Sequence, residues 1–291
     1  MFSKRLAAIG SVLLLLGACQ RPEPAHPALW QVDGPNGQRA WLFGTIHALE
    51  KPVDWHSPRI DAALAAADRV VLEVAAIDDD AGIARSFQVL GTSPQSRPLA
   101  ARIPAATLPA YQAYLKAYHI DDAPLARQDT WSAALILSQA AQQATGSKRE
   151  NGIDQAVKRA AGARPVEEFE GADAQLRIFD ALPEKEQTDL LALVVTGSPA
   201  DADRETQRLE KAWKTGDLVT LSDDTQGGLL RDPELRQALL TGRNQAWTNR
   251  LTAMLTKGQH PFVAVGTAHL IGPDSLPALL TARGYRVTRV Q

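Results

Sequence analysis

Two short stretches near opposite ends of the chain carry the same chemistry-bearing pattern. Trp41-Leu42-Phe43-Gly44-Thr45-Ile46-His47 returns as Val263-Ala264-Val265-Gly266-Thr267-Ala268-His269. Each is an apolar run of strand type, then Gly-Thr-x-His, then a segment able to begin a helix, so two histidines arrive in the same local setting. Two imidazoles brought into one site suit metal binding or acid/base chemistry, because imidazole changes charge near neutral pH and its neutral form is a metal ligand. Glycine at the strand end lets a backbone or a ligand approach with no Cβ in the way. A single histidine after a strand can simply bond a loop carbonyl, but two in matched settings point to function.

For one site to draw on both ends of the chain, strands must carry both copies to the same edge of a sheet. In an open α/β sheet that edge is the crevice beyond the carboxyl ends of the strands. Trp30-Gln31-Val32 and Arg39 to Phe43 read as strands joined by the turn-rich Asp33-Gly34-Pro35-Asn36-Gly37, hence a hairpin. Ser57-Pro58 is an N-cap followed by proline at the first helical position, opening a helix to about Ala67. Arg69 to Val74 is a strong strand whose apolar run is broken by Glu73 near its carboxyl end. The unit from Leu42 to Val74 thus has the length of a strand, helix, strand crossover.

The next segment, about residues 81–150, is rich in alanine, leucine and glutamine and reads as a helical insertion, with Tyr111, Tyr114, Leu115 and Tyr118 as a core stripe. Asp78-Asp79-Asp80 resembles a cation cluster, but three consecutive side chains point different ways, so a solvated loop or helix start is expected. Alternation resumes with a helix from Gly152 to Ala161, a strand from Arg164 to Phe169 and a helix from Gly171 to Leu182. Period two puts Glu168 and Glu170 on one side if that strand extends far enough. Glu184 to Gly258 is helical, interrupted at Ser222 to Gly228 and at Thr241-Gly242. The second break leaves Arg243-Asn244 at a helix N-terminus, where amides and a guanidinium collect anions. A helix from about Asp274 to Arg283 and a strand from Tyr285 to Val290 close the chain.

Composition bounds the partners. With 291 residues, 45% hydrophobic and 22% charged, the chain has the profile of a folded globular protein. A net charge of −2, from 31 basic and 33 acidic residues, gives no bulk footprint for nucleic acid, so no nucleic-acid partner is expected. Residues 1–18 have the form of a signal peptide: Lys4-Arg5, an apolar run from Leu6 to Leu16 too short to span a membrane, then Gly17-Ala18. Cys19, the single cysteine, follows Leu16-Gly17-Ala18 in a pattern that resembles the lipobox of bacterial lipoproteins. The expected organisation is a leader over 1–18, acylation at Cys19, a proline-rich tether over 19–28 and one domain over 29–291. Gln20 resembles the outer-membrane sorting pattern. The expected location is the bacterial cell envelope, lipid-anchored and facing the periplasm.

The ordered set Leu42-Phe43-Gly44-Thr45-Ile46-His47, Val71-Leu72-Glu73, Gly152-Ile153-Asp154, Glu170 with Gln175, Arg243-Asn244, Val265-Gly266-Thr267-Ala268-His269-Leu270-Ile271-Gly272 and Gly284-Tyr285 resembles the TraB/PrgY/GumN family, which includes the Tiki proteins. The family pattern has Leu-Glu-Thr where this chain has Phe169-Glu170-Gly171. Tiki members are similar to metal-dependent peptidases, and relatives of the erythromycin-esterase and ChaN type have an α/β core with the site at strand ends. The resemblance therefore implies an α/β (α+β) fold with a central mixed sheet, flanking helices and a helical insertion.

It also implies a site. If His47, Glu73 and His269 converge, they suit a divalent metal such as Mn, Co, Fe or Zn, which would lower the pKa of bound water and polarise a carbonyl. Glu170 would then be the general base, Arg243 and Asn244 would stabilise an oxyanion, and Asp154 would orient a ligand imidazole. Gly44, Thr45, Gly266 and Thr267 would supply the site's backbone, with the threonines bonding the turns. There is no H-E-x-x-H and no G-x-S-x-G to write a zincin helix or a nucleophile elbow. The expected activity is metal-dependent hydrolysis of a peptide or protein in the envelope. The alternative is a non-catalytic lipoprotein that binds a metal, haem or a signalling peptide.

Overall fold

The structure, a computed structural model, describes residues 22–291. The expected leader and Cys19 lie outside the described residues. The strands and helices in chain order are β1 (Glu23–Pro24), β2 (Leu29–Asp33), β3 (Arg39–Thr45), β4 (Val53–Asp54), α1 (Pro58–Ala66), β5 (Arg69–Leu72), α2 (Asp80–Gly91), α3 (Leu108–Ala117), α4 (Thr130–Ala144), α5 (Ile153–Ala160), β6 (Val166–Glu168), α6 (Ala172–Asp180), α7 (Glu184–Thr196), α8 (Pro199–Thr215), α9 (Leu218–Thr225), α10 (Pro233–Arg236), α11 (Gly242–Thr256), β7 (Pro261–Gly266), α12 (Leu276–Ala282) and β8 (Arg286–Arg289).

Six strands form one mixed sheet in the order β6-β5-β7-β3-β2-β8, and β1 pairs separately with β4. From β6 to β3 the strands are parallel, while β2 runs antiparallel to both β3 and β8. The expected hairpin is present, with Leu29 opposite Phe43 and Asp33 opposite Arg39. The strand, helix, strand unit is also present, but β7 from the end of the chain lies between β3 and β5. That insertion sets the two Gly-Thr-x-His copies on adjacent parallel strands.

Both faces of the sheet are covered, which explains why its central strands are apolar throughout. On one face Phe43, Leu72 and Phe262 pack with Ile60 of α1, Val157 of α5 and Trp213 of α8. On the other, Leu42, Val71 and Val263 pack with Trp247 and Leu251 of α11 and Leu280 of α12. Alternate residues of one strand go to opposite faces, as a pleat requires. α3 and α4 have a core of their own, in which Tyr111, Tyr114 and Leu137 meet Leu190 and Leu191 of α7. The tyrosine stripe is therefore packing, and Tyr114 spends its hydroxyl on the Leu137 carbonyl at 2.8 Å. Asp79 caps α2 by accepting from the Gly82 N–H, so the aspartate run is a helix start.

Several elements differ from expectation. Within the segment expected as a tether, Glu23 and Pro24 pair with β4, and Ala25 and Ala28 are buried. Gly242 does not break a helix. Its backbone is α-helical and joins a π turn over Gln237–Thr241, so α10, the π turn and α11 run on, and Arg243 lies within a helix rather than at its N-terminus. α9 extends to Thr225, so the interruption expected over Ser222 to Gly228 begins at Gln226, and further breaks occur at Gly197 and at Gly216, which adopts φ 64°. Finally, β6 ends at Glu168, so Glu170 leaves the strand and is not bound to its alternation.

Candidate functional site

β3 and β7 deliver the two motifs to the carboxyl edge of the sheet, with Thr45 opposite Gly266. Neither motif opens an α-helix. His47 lies in a bend, and Thr267–Leu270 forms a short 3-10 turn that carries His269 back over β7. Glu73 follows directly on β5, and its Oε1 accepts the Gly266 N–H at 2.8 Å. Both histidines, Glu73 and Arg243 line one cavity of about 320 Å³.

Each imidazole is held through Nδ1. His47 Nδ1 lies 2.8 Å from Asp154 Oδ2, and Thr45 donates to the other oxygen of the same carboxylate at 2.6 Å. Asp154 reaches this point because α5 begins against the motif. Ile153 N–H donates to the Ile46 carbonyl at 2.9 Å, and a Cβ on Gly152 would come within 2.2 Å of the His47 carbonyl oxygen. The Gly152-Ile153-Asp154 run is thereby explained: glycine permits the approach and aspartate in the first helical turn receives the histidine. His269 Nδ1 lies 2.6 Å from Asn244 Oδ1, and the Asn244 amide donates to the Asp274 carbonyl at 2.8 Å. That second bond assigns the amide orientation, so His269 carries its proton on Nδ1 and turns the Nε2 lone pair inward.

The two rings differ in environment. His269 is 6% exposed, whereas the His47 side chain is 64% exposed at the mouth. The Asp154 carboxylate raises the His47 pKa to about 9. His269 is pushed down to about 3 by burial, with the Arg243 guanidinium adding to the fall. Burial works against the charge of Glu73, but the surrounding imidazoles, Arg243 and the Gly266 amide outweigh it and hold the carboxyl well below its ordinary range. At neutral pH these shifts favour a cationic His47 and a neutral His269.

Arg243 ties the remaining charges together. Its Nη2 donates to Glu73 Oε2 at 2.7 Å and to Glu170 Oε2 at 2.9 Å, while Nη1 lies 3.3 Å from His269 Nε2. The guanidinium also stacks over Trp247, 4.6 Å from the ring centre. Glu170 is occupied on both oxygens, by Arg243 and by the Trp247 N–H at 2.9 Å. This is not the arrangement of a free general base. Asn244 is fully buried with both amide atoms bonded, so its geometry positions His269 and does not present a donor to an oxyanion.

Three residues at the site were not assigned roles from the sequence alone. Gln175 donates to Glu73 Oε2 at 3.0 Å, Trp213 donates to the Gly44 carbonyl at 2.9 Å, and Trp247 is packed 4.3 Å from the His269 ring while stacked on Phe169. Trp247 had a readable signal, since Arg243 and Trp247 are spaced i, i+4 and share a helix face.

The donor chemistry fits a divalent cation. Two imidazoles with Nδ1 anchored, plus a carboxylate, are the donor types such ions take. Among the described residues, the set of three acidic or imidazole side chains whose donor atoms all lie within 4.8 Å of one another is a different one, Glu186, Asp189 and Asp232. There the Lys185 ammonium already stands 3.0 Å from Glu186 and 2.8 Å from Asp189.

A model of the TraB/PrgY/gumN family matches residues 28–289. Two similar proteins, the uncharacterized protein YbaP of Shigella flexneri and of Escherichia coli strain K12, are each 28% identical to the chain over 253 residues, covering 84% of this chain and 89% of theirs. No solved structure matches the chain.

Proposed function

The chain belongs to the TraB/PrgY/gumN family, and from that premise we propose that its paired Gly-Thr-x-His segments are the centre of a metal-dependent hydrolase, a peptidase of the bacterial cell envelope. The observation that carries this reading is the convergence of His47 and His269 on one cavity beside Glu73, each ring fixed at Nδ1. His47, Glu73 and His269 would hold the cation, which when bound supplies Lewis acidity to a carbonyl.

The chain's own residues do the rest. Asp154 and Asn244 orient the two imidazoles. Arg243 lines the cavity, its Nη1 held by the Leu239 carbonyl at 3.1 Å and beside His269 Nε2, and its positive charge would favour negative charge developing on a carbonyl oxygen there. Glu170 and Trp247 hold that guanidinium in place. In this assignment Glu170 aligns Arg243 and is not the proton acceptor.

The cellular setting rests on the leader: cleavage before Cys19, acylation of its thiol, and an anchor in the outer membrane facing the periplasm. Among the described residues no helix is long and apolar enough to cross a membrane.

One observation favours the alternative of a non-catalytic lipoprotein that binds a metal, haem or a signalling peptide: each central carboxylate already has donors, which leaves none unengaged to take a proton. The experiment that separates the two loads the soluble chain from residue 20 with Mn, Co, Fe or Zn and measures bound metal and cleavage of a peptide library. Stoichiometric metal with turnover, both lost in His47→Ala/His269→Ala, supports the hydrolase. Metal without turnover of any peptide leaves the binder.

A further inference from the structure

A second cavity, of about 280 Å³, shares two lining residues, His47 and Glu73, with the first. Its walls are apolar and half-buried. Val74 and Ile77 come from the loop after β5, Ile83 from α2, and Leu176 and Phe179 from α6. On α6 the lining positions Ala172, Gln175, Leu176 and Phe179 are spaced i, i+3, i+4 and i+7, one face of the helix. A face of that kind is ordinarily spent on core. Here part of it is left to line a hollow, and the polar member, Gln175, donates to Glu73 Oε2 at 3.0 Å. The apolar wall and the reacting centre are therefore joined within one helical turn.

The cavity's charged groups say what it excludes. Asp154 is taken by Thr45 and His47, and Glu73 by Arg243, Gln175 and the Gly266 amide. Arg149 stands at the edge, its Nη1 3.6 Å from Asp80 Oδ1 and its Nη2 donating to the Ile77 carbonyl. A basic side chain entering here would meet a like charge and find no unengaged carboxylate. An apolar one would leave water for a wall of aliphatic and aromatic carbon.

We propose that this cavity is the specificity pocket of the enzyme, and that the substrate is a peptide with a leucine- to phenylalanine-sized apolar residue flanking the scissile bond. The proposal rests on the hydrolase reading above. Binding the flanking side chain between α2 and α6 would place the adjoining amide at His47 and Glu73, because both residues belong to both cavities.

The test uses the metal-loaded chain from residue 20 and internally quenched peptides identical except at the residues flanking the cleaved bond, which are Leu, Phe, Ala or Lys. The same protein is titrated with N-acetyl amides of those four amino acids, so that binding is read without turnover. Ile83→Trp fills the cavity and Ile83→Ala enlarges it, with folding of each checked by circular dichroism. The expected result is that kcat/KM for Leu and Phe exceeds that for Ala and Lys by about tenfold or more. Ile83→Trp should remove that preference, and Ile83→Ala should shift it toward Phe. Turnover with no apolar preference, or a preference that both variants leave unchanged, overturns the pocket and leaves the hydrolase standing. Leu and Phe amides that bind wild type but not Ile83→Trp, with no peptide cleaved, would keep the pocket's apolar selectivity and overturn its role beside a scissile bond. Neither binding nor cleavage overturns both.

Discussion

Thr45 is paired across the sheet with Gly266 and not with Thr267, so the two Gly-Thr-x-His segments stand on neighbouring strands one residue out of step. The stagger is locked by Thr267, whose hydroxyl donates to the Thr45 carbonyl at 2.9 Å. It also leaves no room beside Gly44, where a Cβ would lie 2.7 Å from Thr267 Oγ1 and 3.2 Å from its Cγ2. Gly44→Ala is therefore expected to destabilise the protein by about 1–3 kcal/mol through overpacking. Thr267→Ala removes the obstructing atoms, so the double variant should be less destabilised than the sum of the singles by about 0.5 kcal/mol or more. Denaturant melts of the four proteins measure the coupling; strict additivity would show that Thr267 is not what excludes a side chain at Gly44.

The Asp154 carboxylate, which raises the His47 pKa to about 9, gives a pH prediction. A histidine whose folded pKa is raised contributes stability in full below its ordinary value near 6.5 and loses it as pH rises through the folded value. In chelator-treated protein the His47 imidazole should titrate near 9 by NMR, and Asp154→Asn should bring it back toward the ordinary range. The stability lost in Asp154→Asn should be greatest below pH 6.5 and shrink above pH 9. A His47 that titrates alike in both proteins would remove Asp154 as the cause.

Asn244 is placed to act on metal affinity without being a ligand. Its Oδ1 receives the His269 Nδ1–H, which fixes the tautomer and puts the ring's lone pair on Nε2. Asn244→Ala should weaken metal binding by about 10–100-fold, the usual cost of losing a bond that orients a ligand imidazole. Calorimetric titration with Zn or Mn reads the change. Asn244 is fully buried, so Asn244→Ser, which keeps a hydroxyl near the ring, serves as the folding control and should recover part of the affinity.

How much of this was legible in the sequence follows from where each signal resides. The strands, the hairpin, the Ser57 cap and the helix over Thr130–Ala144 are written locally, in periodicity and capping residues, and the chain folds as they read. The placing of β7 between β3 and β5 is a long-range pairing with no local mark. The echo of the two motifs points to one site drawing on both ends of the chain, and does not give that strand order. The helical break at Gly242 was misplaced because glycine often ends helices; here a π turn absorbs it, with the position of a Gly242 Cβ only 2.9 Å from the Gln237 carbonyl oxygen. The grouping of His47, Glu73, Asp154, Glu170, Arg243 and His269 came from the family pattern. Asp154 stands at a ligand imidazole as that pattern implied, but partners such as Asn244 with His269 are set by helix placement in three dimensions.

Glu170 is where the order of a pattern and the geometry of a site part most sharply. Both of its oxygens accept from Arg243 Nε at 3.1 Å, Oε2 also accepts from Nη2, and Oε1 takes the Trp247 N–H. A residue so engaged acts through the group it holds. Glu170→Gln keeps the Trp247 contact and part of the arginine fork, so the expected fall in kcat/KM is about tenfold, against the 10²–10⁴ that removal of a general base costs. Arg243→Lys loses the same fork from the other side, and the double variant should fall little further than the worse single, because both changes release one guanidinium position. Cleavage rates for the four proteins on one peptide decide it. A thousandfold loss in Glu170→Gln that is independent of residue 243 would restore the proton-accepting role to Glu170 and leave Arg243 without its positioning partner.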